Sequence, residues 1–424
     1  MANEDHTNTI PLSKTTKFIV DNRGKTAPTS NTGIALIATN CVNNKYLYPT
    51  KDTNRYVSEE TYSTWFRAHP EPGDILLTNK GSQNGAICLV PDPVDFVIAQ
   101  DMVALRANEE VIDPLYLFAA LRSPNVQLQI KNLDVSGVIP HFKKTDFDKL
   151  LLPYPDRFSQ EGIGKTYFNL CSKIEQNRKM NETLEAMARA LFKSWFVDFD
   201  PVRAKAEGRD TDLPDRTAAL FPDSFEDSEQ GEIPLGWEPT CLSKVVEIHD
   251  SARIPLSRRE REKIPGPYPY YGAASVMDYV GDFLFDGIYV LMGEDGSVIN
   301  KDGTPVLQYV WGKFWANNHA HVLRGRNGIS SEHLLLHLRR CNISAYVNGA
   351  VQAKLNQGNL NRIEFILASP EVNEAFDRLI GPLFAGIREN EEQSRTLTKL
   401  RDALLPKLIS GEIRLKPNGI DVAE

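Results

Sequence analysis

Two groups of residues have types and spacings that could support chemistry. Gly164-Lys165-Thr166 is similar to the end of a phosphate-binding loop, and His333 and His337 have the spacing of zinc ligands on a helix. The loop also needs a glycine five positions before Gly164, where the sequence has Ser159. The histidine pair lacks the adjacent glutamate of the HExxH motif, because Leu334 follows His333. A nucleotide hydrolase and a metal-dependent hydrolase therefore remain as the weaker alternatives.

A third motif, Asp113-Pro114-Leu115-Tyr116, is similar to the loop with which amino-methyltransferases hold a flipped base, but its second proline is missing. A helix start explains the same residues, since Asp113 can cap the helix and Pro114 fits its first turn. The sequence contains no GxSxG motif and no Cys/His pair in a recognisable context. We therefore predict a protein without catalytic activity of its own, without a cofactor and without a metal ion.

The second half of the sequence repeats the first. Residues 142–192 align without a gap on residues 355–405, and residues 112–122 align on residues 329–339. Matched pairs include Phe142 with Leu355, Phe147 with Leu360, Lys149 with Arg362, Leu150 with Ile363 and Asn177 with Asn390. Two copies are too few for a solenoid, in which each repeat needs stacked neighbours. The repeat instead predicts a pseudo-twofold molecule with two similar but non-identical surfaces.

Each copy ends in a long amphipathic helix whose apolar positions alternate by three and four residues, as in a coiled-coil seam. The first seam contains Leu170, Ile174, Asn177, Leu184 and Leu191, and the second contains Leu383, Ile387, Asn390, Leu397 and Leu404. Both seams have asparagine at the same repeat position, and a polar seam residue fixes register and partner. We therefore predict that the two helices pack on each other in antiparallel orientation. The alternative is that each helix packs only on its own domain.

Short β-type runs and turns rich in glycine and asparagine fill the rest of both copies. The predicted fold class is α+β: two similar α/β domains joined by two long antiparallel helices that form a coiled-coil spacer, with a pseudo-twofold internal repeat. The predicted boundaries are 1–160 for the first domain, 161–199 for the central helix, 200–235 for an acidic linker, 236–370 for the second domain and 371–415 for the distal helix.

Composition places the protein among cytoplasmic, multi-domain proteins. The chain has 424 residues, a formal net charge of −8 and five scattered cysteines without a CxxC pair, which favours free thiols over disulfides or zinc. No apolar run approaches the ~18 residues of a membrane span. The segment 200–235 has four basic and ten acidic residues, which predicts a solvated, loosely structured link. Since the two domains are close to neutral, charge neither requires nor excludes a nucleic-acid partner.

Several segments resemble the specificity subunits of type I restriction-modification systems, and the resemblance covers nearly the whole chain. The helical segments that carry it are 177–202 (NRKMNETLEAMARALFKSWFVDFDPV) and 393–415 (QSRTLTKLRDALLPKLISGEIRL). Within the domains, 23–40 (RGKTAPTSNTGIALIATN), 71–85 (EPGDILLTNKGSQNG) and 267–280 (PYPYYGAASVMDYV) are similar to the target recognition domains of that family.

The resemblance implies a non-catalytic subunit that reads a split, asymmetric site on double-stranded DNA, one half per domain. It further implies two methyltransferase subunits docked along the helices and restriction (translocase) subunits outside them. The methyl donor would belong to those partners. Two diverged domains on a rigid spacer fit this function independently, because they can discriminate different half-sites at a fixed separation. A coiled-coil scaffold whose ends bind only other proteins is a further alternative.

DNA recognition needs side chains that pair with base edges and cations that meet phosphates. The candidates in the first domain are Lys80, Ser82, Gln83, Asn84, His141, Lys143 and Lys144. Those in the second domain are Arg253, Arg258, Arg259, Arg261, Lys301, Asn318, His319, His321, Lys354, Asn356 and Gln357. For any one of them, an ordinary solvated loop is the alternative. Lys143 and Lys144 align with Asn356 and Gln357, so the copies differ where different sequences would be read.

If the helices set the spacing of the half-sites, inserting four residues after Glu185 should change the length of the gap between them. The insertion lengthens one helix by about 6 Å and rotates the part of the helix that lies beyond it. Sequencing of the methylated sites made by the complex would measure the gap, with an insertion of equal length in the 200–235 segment as the control. An unchanged gap in the helix variant would contradict a spacer role.

Overall fold

The protein, described by a computed structural model over residues 8–22, 25–133, 141–349, 352–416 and 419–422, divides into two compact units. The first unit comprises Met1–Lys179 and Glu391–Glu424, and the second comprises Met180–Asn390. The first unit is thus completed by a helical segment from a distant part of the chain, whereas the second unit is one continuous stretch. Within the described ranges, no helix combines the length and the apolar character needed to cross a membrane.

The first unit is built from short strands and four short helices. Its strands are β1 (Thr9–Pro11), β2 (Thr16–Val20), β3 (Ile34–Ile37), β4 (Tyr56–Val57), β5 (Ile75–Thr78), β6 (Ile87–Leu89), β7 (Phe96–Ile98), β8 (Met102–Ala107) and β9 (Leu151–Pro153). Its short helices are α1 (Leu12–Thr15), α2 (Glu59–Thr64), α3 (Pro114–Arg122) and α4 (Pro124–Asn132). The strands form a β1-β9 pair, a β2-β8-β5-β6 sheet and a β4-β3-β7 sheet. The long helix α5 (Arg157–Phe196) follows.

The second unit contains the larger sheet. Its helices are α6 (Asp200–Ala206), α7 (Asp215–Ala218), α8 (Leu242–Val245), α9 (Arg258–Arg261), α10 (Ser331–Leu338) and α11 (Gln357–Asn361). Its strands are β10 (Phe225–Ser228), β11 (Gly231–Pro234), β12 (Glu238–Cys241), β13 (Val246–Ile248), β14 (Pro265–Tyr271), β15 (Val276–Val280), β16 (Phe285–Gly293), β17 (Leu307–Ala316), β18 (Ala320–Gly325) and β19 (Glu364–Leu367). Six of them pair in the order β13-β18-β16-β17-β14-β15.

The second long helix, α12 (Pro370–Ser410), begins in the second unit and ends in the first, where the hairpin β20 (Ile413–Lys416) and β21 (Gly419–Val422) follows it. The two long helices have nearly equal lengths, 40 residues in α5 and 41 residues in α12, as expected of duplicated elements.

The internal repeat is a repeat of structure as well as of sequence. Each copy opens with a strand, a single helical turn and a second strand, which are β1-α1-β2 in the first unit and β12-α8-β13 in the second. Leu12 N donates to Leu150 O at 2.9 Å, and Leu242 N donates to Ile363 O at the same distance. The copies diverge in their sheets, since the four strands β2-β8-β5-β6 correspond to part of a six-stranded sheet in the second unit.

In the second unit, the last turns of α5 pack against the first turns of α12. The ring centroids of Phe192 and Trp195 lie 6.1 Å and 5.7 Å from that of Phe376. Farther along, Asn390 Nδ2 donates to Asn181 Oδ1 at 2.8 Å. Residue numbers rise along one helix while they fall along the other, so the helices are antiparallel here.

The first unit contains the matching contact between the first turns of α5 and the last turns of α12. Asn177 Nδ2 donates to Gln393 Oε1 at 2.8 Å and to Ser394 Oγ at 3.2 Å. Under the 213-residue repeat, Asn177 corresponds to Asn390 and Asn181 to Ser394, so both units contain the same seam hydrogen bond. The α5 and α12 segments therefore pack on each other within each unit, as the seam asparagines predicted.

The acidic segment 200–235 differs from the loose link that its charge predicted. It forms α6, α7 and the β10-β11 hairpin, and Val202, Phe221 and Ile233 are almost fully buried. Phe221 meets Trp195 of α5 edge to face at a centroid distance of 4.8 Å. The prediction of a loosely structured link was wrong because it was based on the net charge of the segment. The few apolar residues among the acidic ones are buried and hold the segment in place.

Replacing Phe376 with alanine should destabilise the second unit strongly. Its ring is fully buried against aromatic side chains of α5, and emptying such a site costs about 3–5 kcal/mol. Leu379→Ala on the same helix is the matched control, because the Leu379 side chain is 43% exposed. Urea unfolding of the full chain measures both. Similar losses from the two variants would contradict this packing.

Asp377 of α12 should make the stability depend on pH in the opposite sense to most carboxylates. Burial raises the pKa of Asp377 to about 6; the hydrogen bond from Ser330 Oγ opposes the rise and the charge of Glu332 adds to it. The folded state therefore holds this proton more tightly than the unfolded state. Ionisation costs stability progressively as pH rises from about 4 to about 6, and the cost is complete above that range.

Asp377→Asn should therefore stabilise the protein by about 1 kcal/mol near pH 7.5, a figure reduced because Asp377 is only partly buried. The gain should shrink below pH ~6 and vanish near pH ~4. Thermal melting across that pH range measures the effect, with Glu374→Gln at an exposed position of the same helix as the control. A gain that does not vary with pH would mean that another property of the asparagine is responsible.

Candidate nucleic-acid interface

Three loops of the second unit converge at one corner of its large sheet. Main-chain hydrogen bonds hold them: Glu294 N donates to His319 O at 2.8 Å, and Leu355 N donates to Glu294 O at 2.8 Å. An antiparallel bridge also joins Asp295 to Lys354. The segments 294–296, 317–321 and 352–357, which are far apart in the sequence, therefore present their side chains together. We name this group of segments the second corner.

The first unit builds the equivalent corner from equivalent main-chain bonds. Asn79 N donates to Asp101 O at 3.1 Å, Phe142 N donates to Asn79 O at 3.0 Å, and a bridge joins Lys80 to His141. Asn79, Asp101 and Phe142 are the repeat counterparts of Glu294, His319 and Leu355. The segments 79–84, 99–101 and 141–144 are named the first corner.

The exposed side chains of the first corner are mainly cationic and polar. Lys143 is exposed, Lys144 forms an ion pair with Asp21, and Lys80 Nζ is 3.9 Å from Asp101 Oδ1. Ser82 and Gln83 are exposed in a tight turn. Positive φ angles at Gly81 (85°) and Gly85 (83°) make that turn possible.

Asn84 and His141 are less available than the sequence suggested. Asn84 is half-buried and its Oδ1 atom is shielded from solvent. His141 is half-buried and contributes main chain to the bridge with Lys80.

The second corner presents fewer cations and more neutral side chains. Asn318 and Lys354 are exposed, and His319 Nδ1 lies 2.8 Å from Asp295 Oδ1. Asn356 caps α11 by accepting a hydrogen bond from Asn359 N at 2.8 Å. Its main-chain position is thereby fixed at the edge of the corner.

Arg253 and His321, two of the candidates, lie inside the second unit, and the assignment of these two side chains to a DNA surface is corrected. His321 is fully buried, and its Nδ1 and Nε2 atoms lie 2.6 Å from Asp250 Oδ2 and 2.8 Å from Leu355 O. The Arg253 side chain is 10% exposed, and its Nη1 atom donates to Glu294 Oε2 at 2.7 Å. Both residues support the loops from beneath.

Asp250 is the centre of this buried group. Its Oδ1 atom accepts from Val322 N at 2.9 Å, and its Oδ2 atom accepts from Gln357 Nε2 at 2.7 Å. Burial by itself raises the pKa of Asp250, but the hydrogen bonds from His321, Val322 and Gln357 outweigh it and leave the pKa below its usual value. Asp250 is therefore ionised at neutral pH.

Asp250, Glu294 and His321 also form the one group of three potential metal ligands within the described part of the chain, with ligand atoms within 4.8 Å of one another. Arg253 already supplies the positive charge between the two carboxylates: its Nη2 atom is 3.5 Å from Asp250 Oδ2 and its Nη1 atom is 2.7 Å from Glu294 Oε2. A guanidinium in this position leaves the carboxylates neutralised without an ion.

The arginines of α9 divide into an outward pair and an inward residue. Arg258 and Arg259 are exposed, and Arg258 forms an ion pair with Glu262 at 2.9 Å. Arg261 is corrected from a surface cation to a structural one, because it pairs with Asp278 at 3.0 Å and lies over the ring of Tyr270. A capping box formed by Ser257 and Glu260 fixes this short helix.

Lys301 lies apart from the second corner. It is exposed in a turn that is held against the segment 342–343, since Gly303 O accepts from Ile343 N at 2.9 Å and a Cβ atom on Gly303 would collide with the Asn342 side chain. The structure therefore does not bring Lys301 together with the other candidates.

Two features next to the corners were not predicted from the sequence. In the first unit, a cavity of about 240 Å³ adjoins Asp101 and is lined by Lys25, Arg55, Trp65 and Gln100, among others. In the second unit, Met277 at the tip of the β14-β15 hairpin is 55% exposed, and its Sδ atom is 3.5 Å from Asn317 Nδ2. No local pattern in the sequence marks the cavity, because its residues are scattered over some 75 positions.

The motifs that suggested chemistry have structural roles. Gly164 lies within α5, and a Cβ atom there would be 2.4 Å from Tyr116 N, so glycine permits close packing of α5 on α3. Asp113 caps α3 by accepting from Tyr116 N at 2.8 Å. Burial lowers the pKa of His333 to about 3, with a contribution from the charge of His337, and burial lowers that of His337 to about 4. Both histidines are neutral and pack on Phe192.

Comparison with known proteins identifies the family. The chain is 26% identical over 407 residues to the type I restriction enzyme HindI specificity subunit of Haemophilus influenzae. The alignment covers 80% of this chain and 86% of that protein. It is 25% identical over 388 residues to the type I restriction enzyme MjaIX specificity subunit of Methanocaldococcus jannaschii. That alignment covers 88% of this chain and 85% of the relative.

A crystal structure of the S subunit of a type I restriction-modification system from M. genitalium has the same fold. It aligns with a TM-score of 0.55 and 14% identity over 96% of this chain and 98% of that one. The family described as type I restriction modification DNA specificity domain matches residues 23–186 and 234–383, which together make up most of the sequence. The chain, with its two copies of one corner, belongs to this family of type I restriction-modification specificity proteins.

Proposed function

We propose that this protein is the DNA-reading specificity subunit of a type I restriction-modification complex, and that each corner reads one half of a bipartite site. The observation that carries the proposal is that the same loop arrangement is built twice from matching main-chain hydrogen bonds, with different side chains on each. A duplicated scaffold with unlike side chains suits the reading of two unlike half-sites.

The exposed side chains supply the chemistry that base reading needs. Lysine can donate to the O6 and N7 acceptors of guanine, whereas asparagine and glutamine can pair with adenine in two hydrogen bonds. We assign base reading in the first corner to Lys80, Gln83 and Lys143. In the second corner we assign it to Asn318, His319 and Lys354.

Cations beside the second corner suit phosphate contacts, which position a protein on DNA without reading the sequence. We assign this role to Arg258 and Arg259, which are exposed on α9. Lys144, Ser82 and Asn356 lie at the edges of the corners and are further candidates. The net charge of −8 does not oppose these contacts, because the acidic segment 200–235 carries −6 of it.

We assign the chemistry of the complex to its partners. Two methyltransferase subunits would dock on the repeated faces of α5 and α12, and restriction subunits would bind outside them. The helices would also set the gap between the half-sites, because each of them continues without a break from one unit into the other. The motifs that could have supported catalysis in this chain are used instead for helix packing and capping.

Co-expression with the methyltransferase subunit of the same restriction-modification system, followed by sequencing of methylated genomic sites, tests the proposal. The wild-type chain should give one bipartite motif that disappears when the chain is omitted. Methylation that is unchanged without the chain would contradict the proposal.

Variants of each corner should relax one half of that motif only. Lys80→Ala with Gln83→Ala should lower discrimination in one half, and Asn318→Ala with His319→Ala should lower it in the other. The loss should be about tenfold for each base contact removed, since a mismatched base pair costs about 1–3 kcal/mol. Lys301→Ala is the matched control, because Lys301 is exposed but lies away from the corner. Relaxation of both halves by either double variant would contradict the one-corner, one-half assignment.

A further inference from the structure

The segment 354–357 of the second corner is held from below by buried polar side chains. Leu355 O accepts from His321 Nε2 at 2.8 Å, and Gln357 Nε2 donates to Asp250 Oδ2 at 2.7 Å. These two bonds flank Asn356, and Lys354 precedes them. The side chains that face outward here thus depend on groups that never reach the surface.

Both ring nitrogens of His321 have a hydrogen-bond partner. Leu355 O can only accept, so Nε2 donates to it, and Nδ1 lies 2.6 Å from Asp250 Oδ2. The ring is therefore held between the segment 354–357 and Asp250.

Four side chains make up this buried group. Arg253, His321, Asp250 and Glu294 have side-chain exposures of 10%, 0%, 3% and 16% respectively. Arg253 lies within 3.5 Å of both carboxylates, and His321 Nδ1 is 2.6 Å from Asp250 and 3.8 Å from Glu294. Removing one member would leave a buried polar or charged group without its partner, which is costly.

The first corner lacks this group. Val103 is the repeat counterpart of His321, Asn79 is that of Glu294, and the equivalent of the Gln357–Asp250 bond is an ion pair between Lys144 and Asp21. That pair is accessible, with exposures of 44% and 29%. Main-chain bonds shared by both corners are therefore sufficient to form the loops, and the buried group is specific to the second unit.

We propose that Asp250, Arg253, Glu294 and His321 are positioning residues that fix the segment 354–357 and thereby determine the sequence specificity of the second corner. The proposal rests on the proposed function, since it assigns a half-site to this corner. Base reading requires side chains held to a fraction of an ångström, and a locked supporting layer provides that. The first corner, held by an accessible ion pair, reads its half-site without such a layer.

The test uses the full chain in complex with its methyltransferase subunits. His321→Val introduces the residue that the first unit has at the equivalent position. Gln357→Ala removes the hydrogen bond between the segment 354–357 and Asp250 and leaves the buried group itself in place. In both variants, discrimination between the cognate base pair and the others should fall about tenfold at one or more positions of the half-site read by the second corner. The other half-site and the gap should be unchanged. Val103→Ala, at the equivalent position of the first unit, is the control and should leave the half-site of the second corner intact.

Two results would overturn the proposal. One is a wild-type motif from both His321→Val and Gln357→Ala; the other is equal relaxation of both half-sites, which would indicate general destabilisation. Failure of the proposed function looks different, because the wild-type chain would then direct no bipartite methylation at all. Gln357→Ala keeps the test decisive if His321→Val does not fold.

Discussion

The contact between α5 and α12 is the constraint on which the rest of the structure depends. In the first unit, Leu405 and Leu408 of α12 complete a core that contains Ile163 and Tyr167 of α5. In the second unit, Phe376 and Phe384 of α12 belong to one core with Phe192 and Trp195 of α5. Without these contacts, each unit would lose one side of its hydrophobic core, and the loops that pack on the core would lose their support. Hydrophobic burial between segments some 200 residues apart therefore makes both units possible.

The two corners match in their main-chain hydrogen bonds but differ in their exposed side chains. The main-chain hydrogen bonds of the two corners match in pairs, from Asn79 and Glu294 to Phe142 and Leu355. The exposed side chains do not match, since lysines in one corner stand where amides stand in the other. Such a division suits a protein whose fold is fixed while its specificity changes, because main-chain bonds do not depend on side-chain identity.

The supporting layers show that equivalent loops can be stabilised in unlike ways. A buried group formed by Asp250, Arg253, Glu294 and His321 underlies one corner, and an accessible ion pair underlies the other. Buried charges are stable only when every member has its partner, so the group with His321 tolerates little change. The first corner can accept substitutions at lower cost, because water replaces a lost partner of Lys144.

The sequence by itself determined the internal repeat, the antiparallel helix pair, the family and the helix start at Asp113. Each of these depends on local spacing or on a comparison of one segment with another. Tertiary structure alone decided which candidates face outward. Arg253 and His321 have the same residue types as true surface candidates, and only contacts with Asp250, Glu294 and Leu355 place them inside. The folding of 200–235 was also decided at that level, since burial depends on distant partners such as Trp195 that composition and periodicity do not reveal.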